Sequence, residues 1–125
     1  MKSSQCILIV DDDPSLRMVL RKRLTDQSFR VFEAEDGPSG VALAKKKKPD
    51  LILLDIMMPG EDGIQSYHAL KADPDTKGIP VVFISAIAEG LTHAQQDGTG
   101  SRYFVLGKPY SLDGLLGVVQ QALGE

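Results

Sequence analysis

The chain has 125 residues, a formal net charge of −3 and one cysteine, Cys6. That length suits a single domain over residues 1–125 with a real buried core and no output domain, and the mild charge speaks against a nucleic-acid surface or a disordered acidic tail. One thiol rules out an internal disulfide and fits a reducing, cytoplasmic setting; no stretch nears the roughly 20 apolar residues of a membrane span, and Met1–Gln5 is too short and polar for a signal peptide.

In chain order the pattern reads as five repeats of strand then helix. Cys6–Val10 is an unbroken apolar run of the kind buried on both faces of a parallel sheet, and Cys6 within it reads as an inert buried thiol. Asp13 can cap the next helix and Pro14 suits its first turn. Leu16, Val19, Leu20 and Leu24 then form an apolar stripe, with Arg17, Arg21, Lys22 and Arg23 assigned to water. Arg30–Ala34 is a short, more polar strand suited to a sheet edge. A helix is expected over Pro38–Lys47, with lysines 45–48 at its C-terminal end, where cations complement the dipole.

Leu51–Leu54 is a second fully apolar strand, followed by a loop from Met58 to Gly63 and a helix near Ile64–Ala72. Ile79–Ile84 supplies the fourth strand. Ala86–Asp97 is a poor helix, interrupted by Gly90 and followed by Gly98 and Gly100, so a loose, mobile fourth helix is expected. Tyr103–Leu106 is the fifth strand. Leu112–Leu123 is the last helix, with Leu115, Leu116, Val119 and Leu123 facing the core. Such alternation implies a parallel sheet covered on both sides.

Chemistry gathers where the strands end. Asp11, Asp12 and Asp13 follow the first, Asp55 the third, Ser85 the fourth, and Lys108 the fifth. Ligands of open parallel sheets bind beyond the carboxyl ends of the strands. Carboxylates about 4 Å apart repel by roughly 4 kcal/mol at an effective dielectric near 20, so a crevice holding several of them calls for a cation. All-oxygen donors indicate Mg2+ before Zn2+. Ser85 and Lys108 suit an anionic group beside that metal, which makes the crevice a candidate phosphoryl site. Asp13 reads as the helix cap within its triplet. His68 and His93 have no partners at metal-ligand spacing and read as surface residues.

The segments Ile-Leu-Ile-Val-Asp-Asp-Asp-Pro (7–14), Leu-Ile-Leu-Leu-Asp-Ile-Met-Met-Pro-Gly-Glu-Asp-Gly (51–63), Val-Val-Phe-Ile-Ser-Ala (81–86) and Lys-Pro-Tyr (108–110) resemble those of response-regulator receiver domains, in the same order and over nearly the whole chain. The resemblance implies a flavodoxin-like, doubly wound (βα)5 fold with a five-stranded parallel sheet in the order 2-1-3-4-5. It implies phosphoryl transfer from a histidine kinase's phosphohistidine onto Asp55, making the protein a signalling switch rather than an enzyme, though one that assists its own phosphotransfer and dephosphorylation. By the same resemblance Asp12 ligates Mg2+ directly, Asp11 mainly through water, and Asp55 and the backbone carbonyl of Met57 complete the protein ligands. Ser85 and Lys108 hold the phosphoryl oxygens, and Ala86 leaves them room. The partners implied are a sensor histidine kinase or phosphotransfer protein and a downstream protein, with no direct contact to nucleic acid or membrane.

The chain departs from that pattern at the switch position, in a Ser85-to-Lys108 spacing one residue longer than usual, and in the glycine-rich stretch Gly90–Gly100. Receivers usually carry Tyr or Phe as a switch side chain three residues before the lysine, and here that residue is Val105. Phe104, through a bulge, and Tyr103, on the same strand face as Val105, are the alternative candidates. A different class of protein also fits part of the pattern: Asp11-Asp12-Asp13 contains the Asp-x-Asp of haloacid-dehalogenase-like phosphatases, whose nucleophile would be Asp11. The residue that becomes covalently phosphorylated separates the two.

Overall fold

The computed structural model describes residues 5–55, 62–85, 92–96, 102–107 and 111–124. In chain order the elements are β1 (Cys6–Val10), α1 (Pro14–Asp26), β2 (Arg30–Ala34), α2 (Gly37–Lys47), β3 (Leu51–Asp55), α3 (Asp62–Ala72), β4 (Val81–Ser85), β5 (Thr92–Gln96), β6 (Arg102–Gly107) and α4 (Leu112–Gly124). The strands form one sheet in the order β2-β1-β3-β4-β6-β5. Pairings are parallel from β2 through β6, and β5 runs antiparallel to β6 on the sheet's edge.

Five parallel strands therefore lie in the expected order 2-1-3-4-5, β6 taking the fifth place. The fourth strand–helix repeat is corrected. Where a loose helix was expected over Ala86–Asp97, Thr92–Gln96 is a sixth strand. Glycines at 90, 98 and 100 leave too short a stretch for an autonomous helix. Pairing with β6, from Thr92 opposite Leu106 to Gln96 opposite Arg102, gives that backbone its hydrogen-bond partners instead.

The unbroken apolar runs are explained by what covers them. β1 and β3 are buried along their full length. On one face Ile7, Ile9, Leu53, Ile84 and Phe104 meet Leu20 and Leu24 of α1 and Leu115, Val118 and Val119 of α4. On the other, Leu8, Val10, Leu54 and Phe83 meet Ala44 of α2 and Tyr67 and Leu70 of α3. Burial of this kind is worth roughly 25 cal/mol per Å2 of apolar surface, and it holds the strand ends in fixed register. Cys6 is buried as expected, and that burial pushes its thiol pKa up, away from the reactive thiolate.

Two assignments on α1 change. Val19, placed in the apolar stripe, is 50% exposed. Arg17, placed in water, has a side chain only 15% exposed. On α4 the buried set is Leu115, Val118, Val119 and Ala122, with Leu116 and Leu123 packed at its margin. No described helix is long and apolar enough to cross a membrane.

Candidate functional site

The parallel register brings the ends of β1, β3, β4 and β6 to one edge of the sheet. Val10 pairs with Leu54, Asp55 with Ile84, and Ser85 with Gly107. Asp11 thus leaves β1 at the level where Asp55 closes β3. One carboxylate oxygen from each of Asp11, Asp12 and Asp55 lies within 4.8 Å of the others. Asp11 and Asp55 are 2% and 5% exposed, whereas Asp12 is open to solvent.

The local chain explains how three neighbouring aspartates diverge. Asp11 continues the β1–β2 ladder, its N–H donating to the Ala34 carbonyl at 3.1 Å. Its Oδ1 accepts the Asp13 N–H at 2.9 Å and tightens the turn. Asp13 faces the helix instead, with Oδ1 accepting the N–H groups of Ser15 at 2.9 Å and Leu16 at 3.3 Å. Asp13 is the N-cap of α1, as its position before Pro14 predicts. Asp12, between them, is exposed yet keeps a carboxylate oxygen in the cluster with Asp11 and Asp55.

Three carboxylates in so small a space fit a hard divalent cation, since oxygen donors alone, without His or Cys, favour Mg2+ over Zn2+. His68 is exposed and stands outside this cluster. Ser85 closes β4 next to Gly107, the residue before Lys108. Met57, Ala86 and Lys108 themselves lie outside the described residues.

The switch-aromatic candidates fall on opposite faces of β6. Phe104 is buried in the core beneath α4. Tyr103 packs on the other face, its ring 5.6 Å from Tyr67 and 5.4 Å from Phe83. Tyr103 is level with Val81, four residues before Ser85, or about 13 Å along the strand. Val105, level with Phe83, is half-buried on the Tyr103 face.

Sequence reasoning missed Arg17. Its guanidinium donates to the backbone carbonyl of Asp11 and, through Nε, to Glu33 Oε1 at 3.0 Å. One signal was available: a cation in the first turn of a helix opposes the helix dipole and calls for a specific partner.

Comparison with known proteins agrees with this geometry. The response regulator receiver domain family matches residues 7–120. Protein PilH of Pseudomonas aeruginosa is 37% identical over 117 residues, covering 94% of this chain and 96% of PilH. Response regulator PleD of Caulobacter vibrioides is 44% identical over 96 residues, 77% of this chain but 19% of PleD's own length. Among solved structures, the receiver domain of the sensor histidine kinase PA1611 from P. aeruginosa, determined with a magnesium ion coordinated in its active site cleft, superposes with a TM-score of 0.82 at 27% identity. That match covers 98% of this chain and 99% of the other.

The chain belongs to the response regulator receiver domains. As such a domain it is a phosphoacceptor signalling switch of two-component systems, and the haloacid-dehalogenase alternative built on Asp11 finds no support.

Proposed function

We propose that Asp55 accepts the phosphoryl group, with Asp12 ligating Mg2+ directly, Asp11 mainly through water, and Asp55 and the carbonyl of Met57 completing the protein's donors. The convergence of the Asp11, Asp12 and Asp55 carboxylates at the carboxyl edge of a parallel sheet carries this reading. Mg2+, when bound, supplies the charge neutralisation that lets a carboxylate approach a phosphoryl anion. Burial of Asp55 at the end of a rigid strand fixes the nucleophile's direction and limits competing water.

In the transfer, an Asp55 carboxylate oxygen bonds to phosphorus as the phosphorus–nitrogen bond of a phosphohistidine breaks. The bonding pair returns to the imidazole nitrogen, and the product is an acyl phosphate on Asp55. Lys108 pairs with a phosphoryl oxygen, the Ser85 hydroxyl donates to another, and Ala86 leaves space for both contacts. Water attacking the same phosphorus breaks its bond to the Asp55 oxygen, returning the carboxylate and releasing inorganic phosphate, with the same groups assisting. The donor is a sensor histidine kinase or a phosphotransfer protein in the cytoplasm. The output is contact with a downstream protein, with no direct engagement of nucleic acid or membrane.

Beryllofluoride, a mimic of the phosphoryl group, tests this directly. With Mg2+ present it should shift the backbone amide resonances of Asp55, Ser85 and Gly107 together, and Asp55→Asn should abolish those shifts. Equal shifts in Asp55→Asn would remove Asp55 from the acceptor role.

A further inference from the structure

Arg17 stands in the first turn of α1, which holds no acidic residue, yet its side chain is only 15% exposed. Its guanidinium spans two acceptors on different elements. One terminal nitrogen donates to the Asp11 carbonyl, and Nε donates to Glu33 Oε1 at 3.0 Å. Glu33 is anchored in β2, level with Ile9 of β1, and its Oε2 also takes Arg21 at 2.9 Å. Arg21 is 61% exposed, so that second pair adds little. Asp11 is thereby held through three groups: its N–H by Ala34, its Oδ1 by Asp13, and its carbonyl by Arg17.

We infer that Arg17 is a positioning residue of the acidic corner: by bridging the Asp11 carbonyl and the Glu33 carboxylate, it fixes the peptide joining Asp11 to Asp12 and so aims both carboxylates at the cation. The inference rests on the divalent-cation reading proposed above. Arginine suits the task because its planar fork serves two acceptors at once, which an ammonium on a flexible stem does poorly.

The sign of the effect separates positioning from plain electrostatics. A guanidinium close to the cluster repels a divalent cation, so if charge were its whole influence its removal would tighten Mg2+ binding. Positioning predicts the reverse, because groups that orient metal ligands are typically worth roughly 10–100-fold in affinity.

The experiment is calorimetric Mg2+ titration of the full chain as wild type, Arg17→Ala, Arg17→Lys and Arg21→Ala, with melting temperatures recorded alongside. Arg17→Ala should weaken Mg2+ about tenfold, the low end of that range, and Arg17→Lys, which keeps the charge but not the bridge, about threefold. Arg21→Ala should leave Mg2+ affinity unchanged or slightly tighter. Wild-type or tighter binding by Arg17→Ala, even with a lowered melting temperature, overturns the inference. Should Arg17→Ala not fold, Arg17→Lys decides alone: threefold weakening supports positioning and wild-type affinity overturns it. A wild type that binds no Mg2+ overturns the cation reading together with this one, whereas normal wild-type binding with unaffected Arg17 variants overturns this one only.

Discussion

Asp12 and Asp13 are neighbours with the same side chain, and their surroundings separate them. Asp13 accepts two amides at the start of α1, while Asp12 joins the carboxylate cluster. Asp13→Ala should therefore lower stability by about 1 kcal/mol, or about 4 °C in melting temperature, with Mg2+ affinity retained. Asp12→Ala should do the opposite, weakening Mg2+ with little loss of stability. Calorimetric titration and thermal melts of both variants check this, and equal losses of affinity would undo the assignment. Gly40 offers a second test at this scale. A Cβ there would lie 2.7 Å from Cγ2 of Val10, the residue before Asp11. Alanine would gain about 1 kcal/mol in helix propensity but meets a stiff, buried β-branched side chain, and overpacking costs about 1–3 kcal/mol. Gly40→Ala should be net destabilising in urea unfolding, and a rise in midpoint would mean that Val10 yields easily.

Elements differed in how far the sequence revealed them, and the reason is how local their determinants are. Cys6–Val10 and Leu51–Asp55 are apolar along nearly their whole length, so two-sided burial was legible without any partner. Asp13-Pro14 announced the start of α1 through local backbone chemistry. Thr92–Gln96 has neither cue: Thr-His-Ala-Gln-Gln shows no alternation, and its strand state depends on lying against β6. Arg17 read as a solvent-facing helix residue because both of its acceptors belong to tertiary structure, one at the end of β1 and one in β2. Tyr103 and Phe104 stayed equivalent in sequence because the face of a strand is set by what packs on it. The edge strand carries its own test. Backbone 13C chemical shifts over Thr92–Gln96 should be extended, with slowed exchange of the amides that bond to β6. Helical shifts there would overturn the corrected topology.

At the scale of the molecule, the fold does one thing for function: it brings the ends of separate strands together so that acidic groups distant in sequence share one crevice. Asp11 and Asp55 are held by strands buried on both faces, so their approach is built into the core and does not await a partner. The proposal of Asp55 as the phosphorylated carboxylate rests on its place in the sheet. Asp55 closes the central strand β3 between β1 and β4, and Asp11 Oδ1 accepts the Asp13 N–H in the turn that follows β1. The most direct measurement is mass mapping of the covalent adduct after incubation with acetyl phosphate and Mg2+, trapped by borohydride reduction of the acyl phosphate. A single modification at Asp55, absent without Mg2+ and absent in Asp55→Asn, is the predicted result; modification at Asp11, or undiminished modification of Asp55→Asn, would contradict the account.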